Sequence, residues 1–373
     1  MRDSIAVRWT LATLLLGFVP GGLAAQNTSD NTGYGTTAAE FLLLGANARG
    51  AALGSPYAAI ANDVGALYYN PAGAALTRGA GFQVSTYEYV ADTRYSWGGV
   101  VLPFSGRSKA FGVHIGTFGF GDQPVYTVEQ PDGTGAVYSV NQTYVGATYA
   151  QNFSDRFSAG LTGKIILDQL GDASGSAFAV DFGTNFHSTL GGHPIQFSFT
   201  LQNLGTNISY SGTALNVDVP RDSIIGVPTV PNIPQPGQYR TKDWSLPTIF
   251  RVALAYDIVA ASSTRWTLMG DFNQPTNSKA GFGFGTEAEF RNLGETGFGA
   301  ALRASYSHQS ANNVEISDPN LTALGDEENL QGVAFGGGLF YQTPGKFRVG
   351  LDYAYRYMGI LGGTNFFSLD FGF

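Results

Sequence analysis

The residues in this chain that could do chemistry are few and dispersed. Its four histidines, His114, His187, His193 and His308, are scattered. Only His187 and His193 share an expected turn, and no carboxylate cluster joins them, so the spacing predicts neither a metal site nor a Ser–His–acid arrangement. There is no cysteine, which removes disulfides, iron–sulfur ligation and thiol nucleophiles. No Gly-x-Ser-x-Gly elbow and no phosphate loop occurs, and Gly281-x-Gly283-x-Gly285 has the spacing of strand glycines rather than of a dinucleotide fingerprint. No catalytic residue, no cofactor and no enzymatic activity are therefore expected. What remains is charge inside apolar, alternating runs: Lys164, Asp168, Asp181, Arg251, Asp257, Asp271, Glu287, Glu289, Arg303, Arg348, Asp352, Arg356 and Asp370. The chemistry open to such residues is ion pairing, either among themselves or with something they enclose.

The elements that carry them read as β-strands. Phe157, Ala159, Leu161, Gly163, Ile165 and Leu167 alternate with Ser158, Thr162, Lys164 and Asp168; Phe347, Val349, Leu351, Tyr353 and Tyr355 alternate with Arg348, Gly350, Asp352, Ala354 and Arg356. One face is apolar and the other small or polar, as the two faces of a membrane barrel require. Strands of this kind are expected at about 79–90, 94–104, 108–120, 141–152, 156–168, 175–186, 194–203, 247–258, 263–273, 280–290, 297–307, 331–342, 346–356 and 364–373. The gaps alternate between short turns and the longer tracts 121–140, 204–246 and 308–330, the asymmetry of an outer-membrane barrel with periplasmic termini. The fold class is thus an all-β, antiparallel transmembrane barrel of about 14 strands with a short, partly helical N-terminal plug. In this frame Lys164, Asp271, Glu287, Glu289, Arg303, Arg348, Asp352 and Arg356 line the lumen, forming a self-satisfied ladder, or holding the plug, or facing a solute. Tyr87, Tyr89, Tyr95, Trp97, Tyr144, Tyr149, Trp266, Tyr306 and Tyr341 fall near strand ends, where interfacial girdles are expected.

Composition agrees. Only 13% of residues are charged, about half the share of a soluble domain, while 51 are glycine and 13% aromatic. A soluble sandwich would need a charged outer face, which these strands lack. Arg2 and Arg8, the apolar Trp9–Val19 and Leu23-Ala24-Ala25 read as a secretory signal, with a short anchor helix as the alternative. The expected division is a signal peptide over 1–25, a plug over 26–78 and a barrel over 79–373. The net charge of −8 argues against nucleic acid as a partner and leaves the lipid bilayer as the expected one.

Within the plug, Thr36–Leu44 is expected as a short helix or an extended piece. Ser55-Pro56 looks like an N-cap with proline at the first helical position, and Asn62-Asp63 can cap a helix over Val64–Tyr69. Pro71 disfavours helical geometry at Asn70 and stops that helix. The proline-rich tract 204–246, with Pro220, Pro228, Pro231, Pro234 and Pro236, and the acidic loop with Glu315, Asp318, Asp326, Glu327 and Glu328 are candidate partner-binding elements.

The runs Gly45-Ala-Asn-Ala-Arg-Gly-Ala-Ala-Leu-Gly54 and Ala61-Asn-Asp-Val-Gly-Ala-Leu-Tyr-Tyr-Asn-Pro-Ala-Gly-Ala-Ala75 resemble the N-terminal signature of the PorV/PorQ family, which is related to the FadL-type channels through the element Asn70-Pro71-Ala72. The similarity continues through Glu129–Gly135, Phe157–Lys164, Leu201–Gly205 and the closing strand with Phe371 and Phe373. The resemblance implies a binding or shuttle subunit of type IX protein secretion in the outer membrane. Its implied partners are a translocon barrel and secreted cargo, and Phe371 and Phe373 serve as a barrel-insertion signal. The alternative is a FadL-like transporter of small hydrophobic compounds.

Overall fold

The computed structural model describes residues 35–219, 235–309, 332–343 and 347–373. The expected signal, Pro220, Pro228, Pro231, Pro234 and the five acidic residues of the loop before Gly332 lie outside them. Fourteen strands form one closed antiparallel ring. In chain order they begin with β1 (Gly81–Glu88), β2 (Arg94–Phe104), β3 (Lys109–Pro124), β4 (Val137–Ser154), β5 (Phe157–Leu170), β6 (Ala173–Leu190) and β7 (His193–Gly205). Three short strands follow outside the ring, β8 (Tyr210–Gly212), β9 (Asn216–Val219) and β10 (Gln235–Gln238). The ring resumes with β11 (Ile249–Ala260), β12 (Thr264–Pro275), β13 (Gly281–Phe290), β14 (Phe298–Gln309), β15 (Val333–Gln342), β16 (Arg348–Tyr357) and β17 (Gly363–Gly372). Each ring strand pairs with its sequence neighbour in the ring, β7 pairs with β11, and β1 closes on β17 from Gly81↔Gly372 to Thr86↔Phe367.

Closure leaves no free edge, which a membrane requires because lipid offers no hydrogen bonds to an open strand. The alternation expected from sequence places the large apolar residues outward: Ile165, Phe284, Leu302 and Leu339 are 57%, 64%, 64% and 67% exposed. In water such a band would be an aggregation surface; in a bilayer it is a lipid-facing wall.

Two expectations are corrected. Tyr87, Tyr95, Trp97 and Tyr144 do not form a girdle; they are buried in the lumen. Nearness to a strand end sets height in the membrane, but face is set by parity, and Tyr87 shares the inward parity of Gln83 and Ser85. Tyr149, Trp266 and Tyr306 do face outward. The tract 204–246 is not devoid of structure: β8 pairs with the outer end of β6, and β9 pairs with β10. Strands β3 and β4 also run further than expected and shorten the loop between them. Glu88, which breaks the lumen parity, is at the rim of β1 and pairs with Arg94 at 3.1 Å.

One irregularity shapes the wall. Between β6 and β7 the register shifts at Val180/Phe182, and Asn203 adopts φ 61°. The N–H of Asn203 that the bulge frees donates to Asp181 Oδ1 at 2.7 Å. Lys164 Nζ sits 2.8 Å from the same carboxylate and donates to Asn203 Oδ1. A bulge buried in a barrel wall must satisfy its loosened backbone from side chains, and this trio does so.

Candidate functional site

Residues 37–78 occupy the lumen from end to end. At the long-loop end, Thr37 forms a parallel bridge with Ser245, Ala38 N–H donates to Ser245 O at 3.0 Å, and a short 3-10 turn follows over Glu40–Leu43. At the short-turn end the chain passes through Thr77 into β1. Between them lie four short helical pieces, Ala48–Leu53, Ser55–Ala59, Ala66–Tyr69 and Pro71–Leu76. Each is one or two turns and too short to be stable alone, so each depends on the wall around it. The helix expected to begin at Val64 begins at Ala66, with Asp63 Oδ1 accepting from Gly65 N–H at 2.8 Å. Ser55 is the first residue of its 3-10 turn rather than the cap, which is Gly54 at φ 68°.

Small residues let this segment pack against β-strands. The wall supplies glycines where the segment comes closest: a Cβ on Gly160 would sit 2.4 Å from the Pro71 carbonyl carbon, and one on Gly183 would sit 2.2 Å from Asn70 Oδ1. Asn70, Pro71 and Ala72 are all buried. The Asn70 side chain accepts from Ala72 N–H at 3.1 Å, capping Pro71–Leu76, and donates to Ala58 O at 2.9 Å and Thr184 O at 3.2 Å. It therefore ties two turns of the segment to β6. Asn70→Ala is expected to lower barrel stability by about 1–3 kcal/mol, since a cap is lost and buried carbonyls lose their donor. Asn70→Asp keeps the cap but replaces the donor with an acceptor, and should be at least as damaging. Urea unfolding of the detergent-folded barrel measures both.

The charged lumen residues divide into four groups. At the centre, Arg49 of the segment grips Glu287 of β13 with two bonds, Nε–Oε2 at 2.9 Å and NH2–Oε1 at 2.7 Å. Its NH1 reaches Asp63 at 2.7 Å. Arg303 of β14 donates to the same Glu287 at 2.8 Å and to Asp352 of β16 at 2.5 Å. Tyr57 O–H donates to Asp63 at 2.5 Å. Burial alone would push the Arg49 guanidinium down, but Glu287, with Tyr57 and Asp63, outweighs it and holds the group well above its ordinary value. Burial, reinforced by Asp63, raises Tyr57 far above a free phenol. Both groups keep their charge state at neutral pH.

The second group is Asp271, which accepts from Ser55 Oγ at 3.0 Å and lies 3.8 Å from Arg251 Nε. The third group is at the short-turn mouth, where Glu289 pairs with Arg291 at 2.8 Å, Arg265 with Asp257 at 2.9 Å and Arg348 with Asp370 at 3.6 Å. Lys164 belongs to the bulge described above, and Arg356, half-buried on β16, has no carboxylate partner among the described residues. Phe371 and Phe373 lie at the end of the closing strand, where Phe373 N–H donates to Ala80 O at 2.7 Å. Of the expected lumen residues, Glu287, Arg303 and Asp352 are thus brought into one cluster. The residues sequence reasoning missed are Arg49 and Asp63. The available signal was a single arginine within an alanine- and glycine-rich run, which cannot be buried without carboxylates around it.

The filled lumen leaves two mouths of opposite character. The outer cavity, about 690 Å³, is lined by Ala38, Phe41, Leu44, Tyr89, Phe118 and Trp244 among others. Its polar lining is Thr37, Glu40, Gln142 and Asp168, whose Oδ2 accepts from Tyr210 O–H at 2.6 Å. The inner cavity, about 360 Å³, is bordered by Arg49, Arg78, Arg107, Glu289, Arg291 and Arg348 among others. The two share no lining residue. Between them the segment buries Leu53, Tyr57, Ile60 and Leu67 completely.

No protein-family model and no curated protein matches this chain. Among solved structures, it is similar to the CymD monoaromatic hydrocarbon channel, at 11% identity and a TM-score of 0.53, over 89% of this chain and 98% of that one. A Pseudomonas aeruginosa FadL homologue aligns at 10% identity and a TM-score of 0.46, over 87% of this chain and 97% of that one. The likeness to the first is one of fold alone.

Proposed function

We propose that this barrel takes small apolar solutes into its outer cavity and admits them inward by displacement of the lumen segment, which acts as a plug. The observation that carries the reading is the outer cavity itself. Its apolar wall is assembled from three separate parts of the chain: the segment (Phe41, Leu44), strand ends (Tyr89, Phe118) and the tract before β11 (Trp244). Its volume of about 690 Å³ is within the range of small-molecule sites. A solute bound there touches the plug directly, so binding energy can be spent on moving it. In this reading residues 1–25 are an export signal, 26–78 the plug and 79–373 the barrel.

Binding of a fluorescent naphthylamine probe to the detergent-folded protein tests this. Trp244→Ala and Phe118→Ala each remove a large apolar contact of roughly 1.5–3 kcal/mol, so each should weaken binding by about tenfold or more. Absence of saturable binding to the unaltered protein would remove the proposal.

The secretion reading is also supported by one feature, the ionic fastening of the plug at Arg49, which suits a sealed barrel that works through its surface. It predicts that the tagged protein co-purifies from native membranes with a larger barrel and secreted proteins. A preparation free of both, with probe binding intact, favours the transporter.

A further inference from the structure

The inner cavity carries more positive charge than the lumen needs to satisfy itself. Of the seven arginines on its lining, five pair with carboxylates described above: Arg49, Arg265, Arg291, Arg303 and Arg348. The remaining two, Arg78 and Arg107, make no ion pair or side-chain hydrogen bond among the described residues. They come from unrelated places, Arg78 from the linker between the lumen segment and β1, and Arg107 from the turn between β2 and β3, where it adopts φ 69°. The chain as a whole has a net charge of −8, so carboxylates are in excess overall and are nevertheless not placed opposite these two. Burial and the nearby Arg291 lower Arg78 from its ordinary value, with Arg348 and Arg265 adding to the repulsion, which Glu289 only partly offsets. Arg78 and Arg107 are both exposed at the rim of the cavity.

The cavity is otherwise built as a receptacle. Arg348 lies over the Phe340 ring at 4.2 Å, which holds its guanidinium against an apolar floor. Thr77, Gln342 and Thr343 supply neutral hydrogen-bonding groups. At about 360 Å³ the space is at the small end of ligand sites. The sequence ends beside it at Phe373, and neither arginine is ion-paired with that terminus among the described residues.

We propose that the periplasmic mouth is a binding site for a small oxyanion group, a carboxylate or a phosphate, held by Arg78 and Arg107 in a cradle of already-paired arginines. Guanidinium groups suit both oxyanions because their paired N–H donors match two oxygens at once. A ligand there would join the segment-to-barrel linker to the β2–β3 turn, fastening the inner end of the lumen segment to the wall. This site is independent of the apolar outer cavity, and solute binding at the outer mouth does not bear on it.

Isothermal titration of the full detergent-folded chain with inorganic phosphate, and separately with acetate and octanoate, tests the proposal. Saturable binding of at least one probe is expected, weakened about tenfold by Arg78→Gln or Arg107→Gln and abolished in the double variant. Heat-modifiable gel migration checks that each variant still folds, and Arg240→Gln on the opposite side serves as the charge control. Phosphate binding without acetate or octanoate identifies a phosphate site, the reverse a carboxylate site, and octanoate alone a ligand that also uses the Phe340 ring. No saturable binding of any probe, or binding unchanged in a folded double variant, overturns the proposal, as does equal weakening by Arg240→Gln.

Discussion

Glu287→Gln is expected to destabilise the folded barrel by about 3–5 kcal/mol, the cost of leaving buried charge uncompensated. Glu287 is 1% exposed and accepts from both Arg49 and Arg303. Neutralising it leaves two guanidinium groups close together in the lumen, with Asp63 and Asp352 as their remaining counter-charges. Arg49→Met should cost less, because Glu287 keeps Arg303 and Asp63 keeps the Tyr57 hydroxyl. The double variant should therefore be closer to Arg49→Met than to the sum, since removing both partners avoids a stranded charge. Guanidinium unfolding in detergent, followed by tryptophan fluorescence, gives all four corners of the cycle. A Glu287→Gln barrel within about 0.5 kcal/mol of the unaltered one would show that water reaches this cluster and that the lock is weak.

Gly160→Val should drive the lumen segment out of place while leaving the barrel closed. The first added carbon falls 2.4 Å from the Pro71 carbonyl carbon and 2.6 Å from Ala72 N, backbone atoms that cannot swing aside as a side chain tip can. Overpacking of this kind costs about 1–3 kcal/mol where neighbours can yield, and more where they cannot. The β5 backbone is held on both sides by β4 and β6, so the segment is the part that gives way. The expected readout in a planar bilayer is ion conductance well above that of the unaltered protein. Gly163→Val is the control, since its added carbon meets only Phe178 at 3.7 Å, an ordinary contact on the lipid face. If Gly160→Val remains as closed as Gly163→Val, the segment does not seal the lumen.

Both expectations depend on contacts between positions more than a hundred residues apart, or nearly so, and these separate what was legible from what was not. The alternation around Leu161 and Lys164 was enough to say that Leu161 faces lipid and Lys164 faces inward, because strand parity is a local property. It could not say that Lys164 meets Asp181 and Asn203, which requires the register of β5, β6 and a bulge. Tyr87, Tyr95, Trp97 and Tyr144 show the same limit from the other side: aromatic type and strand-end position suggest a girdle, whereas parity places them inward. The pairing of β9 with β10 is not legible in the sequence because Asn216–Val219 and Gln235–Gln238 are short, polar and separated by prolines.

By itself, then, the sequence determined the number of ring strands, the alternation of their two faces, an apolar outer wall and the presence of a non-strand N-terminal segment with a helix stopped at Asn70-Pro71. All of these follow from period-two patterning, from the shortage of charge and from proline's fixed backbone geometry, each acting over a few residues. Tertiary structure alone decided that Arg49, not an arginine of the wall, joins Glu287 to the lumen segment. It also decided that Gly160 and Gly183 are there to admit Pro71 and Asn70, and that Arg78 and Arg107, without an ion-pair partner among the described residues, line one inner mouth. Ring closure is what brings these residues together. Curling a sheet into a barrel places side chains from opposite ends of the chain in one small, poorly solvated space, where unpaired charge and excess volume are costly.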